Sequence, residues 1–181
     1  MEIGMIILGV DPGLQVCGYA AVEVNSGGEK LIEAGVIRTD ESAGLANRLN
    51  QIADDTRALM EKFEPQIVAV EELYSHYKHP KTAILMGHAR GVILQQAQAA
   101  GAAVKNFAAT RIKKSLTGNG RASKGQMQRA IQSTLGLSEL PEPADVADAI
   151  AVALCCGNTE DRCRMADDGK QRSEGRHSFD L

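Results

Sequence analysis

Four carboxylates in this chain stand where carboxylates can act together. Asp11 closes the apolar run 5–10 (MIILGV) just before Pro12-Gly13, and Glu71-Glu72 close the short β-branched run 67–70 (IVAV). Asp145 and Asp148 are three apart at the start of the stretch 144–156, a spacing that puts both on one helical face. If the first and fourth strands run parallel and adjacent, Asp11 and one glutamate meet at the edge of the sheet where sites form in open α/β folds. Alternation sends Glu71 and Glu72 to opposite faces, so only one of them joins, and periodicity does not say which. Carboxylates crowded in this way repel, and divalent cations cancel the repulsion. Mg²⁺ takes oxygen ligands and keeps water and phosphate oxygens in its shell, so such a cluster points to phosphodiester hydrolysis, with two ions dividing nucleophile activation from leaving-group stabilisation. Each acid also has a plainer use. Asp145 and Asp148 complement the helix macrodipole, Asp11 shapes a Pro-Gly turn, and either glutamate can be simply solvated. The conjunction is what points to a site.

A phosphate substrate calls for basic surface, and the charges are arranged to supply it. The formal net charge of −3 conceals a stretch from Leu73 to Ser138, 66 residues without an Asp or Glu, that holds ten Lys and Arg. Arg111, Lys113, Lys114, Arg121 and Lys124 lie within it. The rest of the chain carries ten basic residues against 23 acidic ones. A polarised molecule of this kind suits a polyanion, and nucleic acid is the commonest.

The elements that must position these groups follow from periodicity and turn chemistry. Residues 5–10, 19–24 and 31–39 read as three antiparallel strands, the second and third joined by the hairpin signal Asn25-Ser26-Gly27-Gly28. A helical stripe runs from Leu45 to Phe63, with Ser42 as a cap and Glu64-Pro65 as the stop. Residues 67–70 form a buried parallel strand, 73–80 (LYSHYKHP) an exposed loop, and 81–100 a helix. On that helix Ala83, Gly87 and Gly91 share a face suited to tight packing. A fifth strand at 103–107 leads to short helices at 110–116 and 123–135 around Gly118-Asn119-Gly120, and Pro143 opens a last helix over 144–156. The order β-β-β-α-β-α-β-α-α implies an α/β domain with a mixed five-stranded sheet, three antiparallel strands and then parallel ones, with helices on both faces.

At 181 residues the chain suits one domain, here 1–157, followed by a polar tail over 158–181 expected to be disordered. Apolar residues at 44% support a real core, and aromatics at 3% make it aliphatic. No apolar run reaches the length of a membrane span and no signal segment opens the chain, so a cytoplasmic protein without a membrane partner is expected. The four cysteines, Cys17, Cys155, Cys156 and Cys163, lack metal spacing and read as reduced thiols.

The segments IILGVDPGLQVCGYA (6–20), VAVEELY (68–74), GHARG (87–91), KKSLTGNGRASKGQMQ (113–128) and ADVADAIAVAL (144–154) resemble, in order and spacing, the RuvC crossover junction endonucleases. The resemblance implies an RNase H-like fold and a homodimer. It implies Mg²⁺-dependent paired nicking of four-way (Holliday) junction DNA in recombination and repair, with two ions per site, Mn²⁺ as a substitute, and RuvA and RuvB as branch-migration partners. By position it assigns Asp11, Glu71, Asp145 and Asp148 as the catalytic metal ligands, selecting Glu71 over Glu72. Lys113 and Lys124 match its DNA-contacting lysines, and Arg111, Lys114 and Arg121 join them as expected DNA contacts. The family's junction-centre aromatic, often Phe, is Tyr74 here, a ring that could stack on an unpaired base. His76 and His79 beside it lack further ligands for zinc. Among rivals, an actin-like phosphotransferase needs two related domains that this length cannot hold. A nuclease for structured RNA shares the fold, and a junction-binding scaffold would not need four acids.

Overall fold

The computed structural model describes residues 4–73 and 80–174, with side chains over 4–73 and 81–160. Strands β1 (Met5–Asp11), β2 (Val16–Asn25) and β3 (Gly28–Arg38) are followed by α1 (Leu45–Phe63), β4 (Ile67–Glu71), α2 (Pro80–Ala99) and β5 (Ala103–Phe107), then α3 (Ala109–Thr117), α4 (Lys124–Leu135) and α5 (Ala144–Glu174). The sheet order is β3-β2-β1-β4-β5. β1 pairs antiparallel with β2 and β2 with β3, while β1–β4 and β4–β5 are parallel. This is the mixed five-stranded sheet expected from the element order.

Strand alternation divides the interior into two cores. Leu8 and Val10 of β1 and Val68 and Val70 of β4 pack with Ile52, Met60 and Phe63 of α1 and Ile93 of α2. Ile7 of β1 and Ile67 and Ala69 of β4 face the other way, onto Ile112 of α3, Ile131 of α4 and the run from Val146 to Cys156 in α5. Both faces of the central strands are therefore covered, as near-continuous apolar runs require. In the β2–β3 hairpin the Asn25 side chain accepts from the Gly27 N–H at 2.8 Å, and Gly28 takes φ 115°, a left-handed conformation that glycine adopts without steric cost.

Three expectations are corrected. Gly44, not Ser42, caps α1, because the Ser42 hydroxyl and N–H are both taken by the Asp40 carboxylate, at 2.7 and 2.9 Å. Gly91 does not serve tight packing, since among the described residues nothing lies within 4 Å of where its side chain would start. The third concerns the last helix, which continues past Cys156 to Glu174. Gly157 does not stop it. It lies close to β2, where a methyl group would sit 3.1 Å from the Val24 side chain. Residues just beyond are tied to the domain: Asn158 donates to Ser115 at 3.3 Å, and Glu160 pairs with Lys105 at 2.5 Å. Among the described residues no helix is long and apolar enough to cross a membrane.

Candidate active site

Parallel register decides which glutamate accompanies Asp11. Gly9 lies opposite Ala69 and Val10 opposite Val70, so one step further Asp11 comes beside Glu71. Asp11 continues the β1 face that carries Ile7, and Glu71 continues the β4 face that carries Ile67 and Ala69, all turned toward α5. Glu72 falls beyond the strand, exposed, with its N–H donating to the Phe107 carbonyl at 3.0 Å.

The other two acids arrive on α5, whose depth is set by glycines. Gly18 is the β2 partner of Asp11, and a methyl group there would run into the Asp145 carbonyl. At Gly9 it would meet the Ala149 carbonyl and the Ala153 side chain. The first turns of α5 therefore rest directly on β1 and β2, with Asp145 and Asp148 held over the end that bears Asp11. Sequence reasoning passed over Gly9 and Gly18. The available signal was a glycine inside each strand, which marks close backbone approach.

Electrostatics show that the four acids share one field. Burial, then Asp148, Glu71 and Asp145 in that order, raise the Asp11 carboxyl to about 7, opposed by Lys124. Glu71 is raised by burial and by Asp148, with Lys113 pulling it down. Asp148 is raised by burial and Asp145, against Lys124 and Lys113. Among the described residues no hydrogen bond or ion pair reaches any of these four carboxylates. An all-oxygen set of partly buried, mutually repelling carboxylates fits a hard divalent cation, although no three His, Cys, Asp or Glu side chains among the described residues are drawn into a ready ligand cage.

Glu71, Asp148, Lys113 and Lys124 line one cavity of 210 Å³ floored by Ile112 and Met127. Both lysines are carried by well-fixed elements. The Ser123 hydroxyl accepts from the Gln126 N–H and the Gln126 side chain accepts from the Ser123 N–H, a reciprocal cap that pins Lys124 in the first turn of α4. Gly118, at φ 75°, ends α3 one turn after Lys113. Gln128 also lines this cavity. It stands one turn after Lys124 on α4, a spacing that could have revealed it. Asp145 opens instead onto a second hollow of 430 Å³ beside Gly13, Leu14 and Arg48. There the Arg48 Nη2 donates to the Leu14 carbonyl at 3.3 Å and holds the loop after Asp11. Arg111 and Lys114 line a third hollow across α3. Arg121 is exposed on the turn, its backbone N–H donating to Asn119 at 2.9 Å. Tyr74, with His76, Tyr77 and His79, lies outside the described residues.

The family model described as "Crossover junction endodeoxyribonuclease RuvC" matches residues 7–156. This chain belongs to the RuvC family. The match spans β1 to the middle of α5 and takes in all four acids and both lysines. A RuvC from Rhodopirellula baltica is 48% identical over 149 residues, covering 82% of this chain and 84% of its own. One from Heliobacterium modesticaldum is 41% identical over 155 residues, covering 86% and 95%. Among solved structures, T. thermophilus RuvC in complex with a Holliday junction substrate superposes with a TM-score of 0.79 at 32% identity, covering 83% of this chain and 92% of that one. The fold is accordingly the RNase H-like fold of RuvC. One buried thiol of this RuvC member lies beside the site: the Cys17 Sγ donates to the Gly13 carbonyl at 2.6 Å, in the loop that follows Asp11. Cys17, Cys155 and Cys156 are buried, and burial pushes Cys17 up to about 11 and Cys156 up to about 12.

Proposed function

We propose that this RuvC family member resolves four-way DNA junctions by hydrolysing one phosphodiester bond in each of two opposed strands. Asp11, Glu71, Asp145 and Asp148 hold the divalent metal, and Lys113 and Lys124 hold the phosphates on either side of the cut. The observation that carries this reading is the placement of partly buried Asp11, raised to about 7 by burial and by three other acids, next to a cavity that Glu71 and Asp148 line together with two lysines. Nuclease chemistry and the junction substrate are those of the family.

Asp11, Glu71, Asp145 and Asp148 would hold the divalent cations, which would supply Lewis acidity to the phosphoryl group and lower the pKa of the attacking water. The rest is done by the chain. Lys113 and Lys124 draw the DNA backbone into the cavity and set the scissile phosphorus against the acids. The apolar floor of Ile112 and Met127 limits competing water. Attack forms one P–O bond and breaks another, leaving a nick. The oxygen-only donor set suits Mg²⁺, which Mn²⁺ could replace, and two such ions would divide nucleophile activation from leaving-group stabilisation.

Two opposed nicks call for two identical sites about a two-fold axis, which a homodimer supplies. Ile84 on α2, 60% exposed, and the open space at Gly91 support an α2 face free to take part. RuvA and RuvB are the partners expected from the family, in the cytoplasm. The nuclease domain takes in residues 1–157, extended by the contacts of Asn158 and Glu160.

The test is whether the purified chain with Mg²⁺ converts a synthetic four-way junction into two nicked duplexes. Symmetric nicking of the junction, with structured RNA left intact, is expected. Cleavage of the RNA in preference to the junction would overturn the reading.

A further inference from the structure

Helix α3 separates its own basic residues. Lys113 faces the acid-bearing cavity, whereas Arg111 and Lys114 face a hollow of 590 Å³ on the helix's far side. The far wall of that hollow comes from the part of α5 beyond Cys156, through Asn158 and Thr159, and its near wall adds Thr110 and Ser115 of α3. No acid lines it. The nearby carboxylate of Glu160 is engaged by Lys105 at 2.5 Å. Among the described residues, neither Arg111 nor Lys114 has a carboxylate partner.

Arg111 is also preorganised. Its guanidinium carbon lies 5.1 Å from the centre of the Phe107 ring, and Nη2 donates to the Thr159 hydroxyl at 3.3 Å. These contacts fix the plane of the fork and leave other N–H groups for a ligand. Ser115 accepts from Asn158, which leaves its own O–H to donate. A concave surface with a fixed guanidinium, an exposed ammonium and hydroxyl donors, and no acid among its described residues, has the chemistry of a phosphodiester site.

We propose that this hollow is a second DNA-backbone site, gripping phosphates of the junction that are not being cut, with α3 as the divider between it and the catalytic cavity. It rests on the junction-nuclease reading and deepens it. DNA bound there would be held across α3 by Lys113 on one side and Arg111 and Lys114 on the other, so a junction arm is fixed in direction as well as in position.

The test uses the full chain and a four-way junction in EDTA, so that no strand is cut. Phosphate-ethylation interference on the wild type should show two clusters of sensitive phosphates, one at the cleavage point and one apart from it. Lys114→Gln should lose the second cluster alone and lower the slope of log K against log[salt] by about one. Lys114→Glu should weaken binding further. Arg111→Lys, which keeps the charge and loses the fork, should weaken binding with little change of slope. A single cluster in the wild type, or an unchanged slope and pattern in Lys114→Gln, would overturn the second site. Loss of thermal stability without loss of junction affinity in Arg111→Lys would make that residue a tether of α5 and remove it from the site. Nicking by the wild type in Mg²⁺ is scored separately, so a failure of the nuclease reading is distinguishable from a failure of this one.

Discussion

Replacing Asp11 by Asn should stabilise the metal-free protein at alkaline pH while abolishing its nuclease activity. In the folded chain Asp11 keeps its proton up to about pH 7, against 3.8 for an ordinary aspartate, because it is buried and faces Asp148, Glu71 and Asp145. Between those two values the folded state binds more protons than the unfolded one. Stability is therefore lost as pH rises through this window, and the loss is complete above the folded value. At 1.36 kcal/mol per unit, a rise from 3.8 to about 7 corresponds to about 4 kcal/mol. About 3 kcal/mol of that falls between pH 5 and pH 8.

Asn cannot ionise, so Asp11→Asn should lack this component. Urea unfolding in EDTA at pH 5 and pH 8 measures it as a double difference, in which any pH-independent cost of the amide cancels. Relative to wild type, the variant should gain about 3 kcal/mol on going from pH 5 to pH 8, or roughly 6 to 12 °C in Tm for a chain of this size. Glu71 and Asp148 are also raised, so some pH dependence should persist in the variant. Adding Mg²⁺ at pH 8 should stabilise wild type by mass action and the variant much less. Parallel pH dependences for the two proteins, or a variant that loses ground at pH 8, would refute the account of Asp11 as a buried charge awaiting a cation.

Glu71→Gln should cut junction nicking by orders of magnitude while Glu72→Gln stays active, measured as single-turnover rates at fixed Mg²⁺; equal loss in both would contradict the register argument. Lys113→Ala and Lys124→Ala should each lower the salt slope of junction binding by about one, read by titration in EDTA from low to high salt. Gly18→Ala, by pushing against the Asp145 carbonyl, should raise the Mg²⁺ concentration needed for half-maximal nicking, a shift that a metal titration would show and a merely looser fold would not.

Much of the molecule was legible because its local signals agree with its long-range contacts. The hairpin at Asn25-Ser26-Gly27-Gly28, the short β-branched run of β4 and the stop at Glu64-Pro65 each carry their reason in the residues themselves. Glu64 even adopts the left-handed conformation, φ 44°, that ends α1. What was not legible depends on where a second element comes to lie. Ser42 is as good a capping residue as any by type, yet Asp40 two residues away captures its hydroxyl and passes the cap to Gly44. Gly157 has the composition of a stop, but the neighbour that crowds a larger side chain there is Val24, on a strand over a hundred residues earlier.

The same distinction explains why the acids could be found and their spacing could not. Types and positions along the chain place Asp11 and Glu71 at strand ends, and parallel register brings them side by side. The approach of Asp145 and Asp148, however, is decided by two missing side chains, Gly9 and Gly18, on strands whose partner helix begins more than 120 residues later. Close seating of α5 has an electrostatic cost, visible as the raised carboxyls of Asp11, Glu71 and Asp148. An apolar core that includes Val146 and Ala147 and runs without interruption from Ala149 to Cys156 opposes that cost with buried area. The helix that supplies two of the four acids thus also buries every residue from Ala149 to Cys156. Its packing holds like charges together, ready for a cation and a phosphate to relieve them.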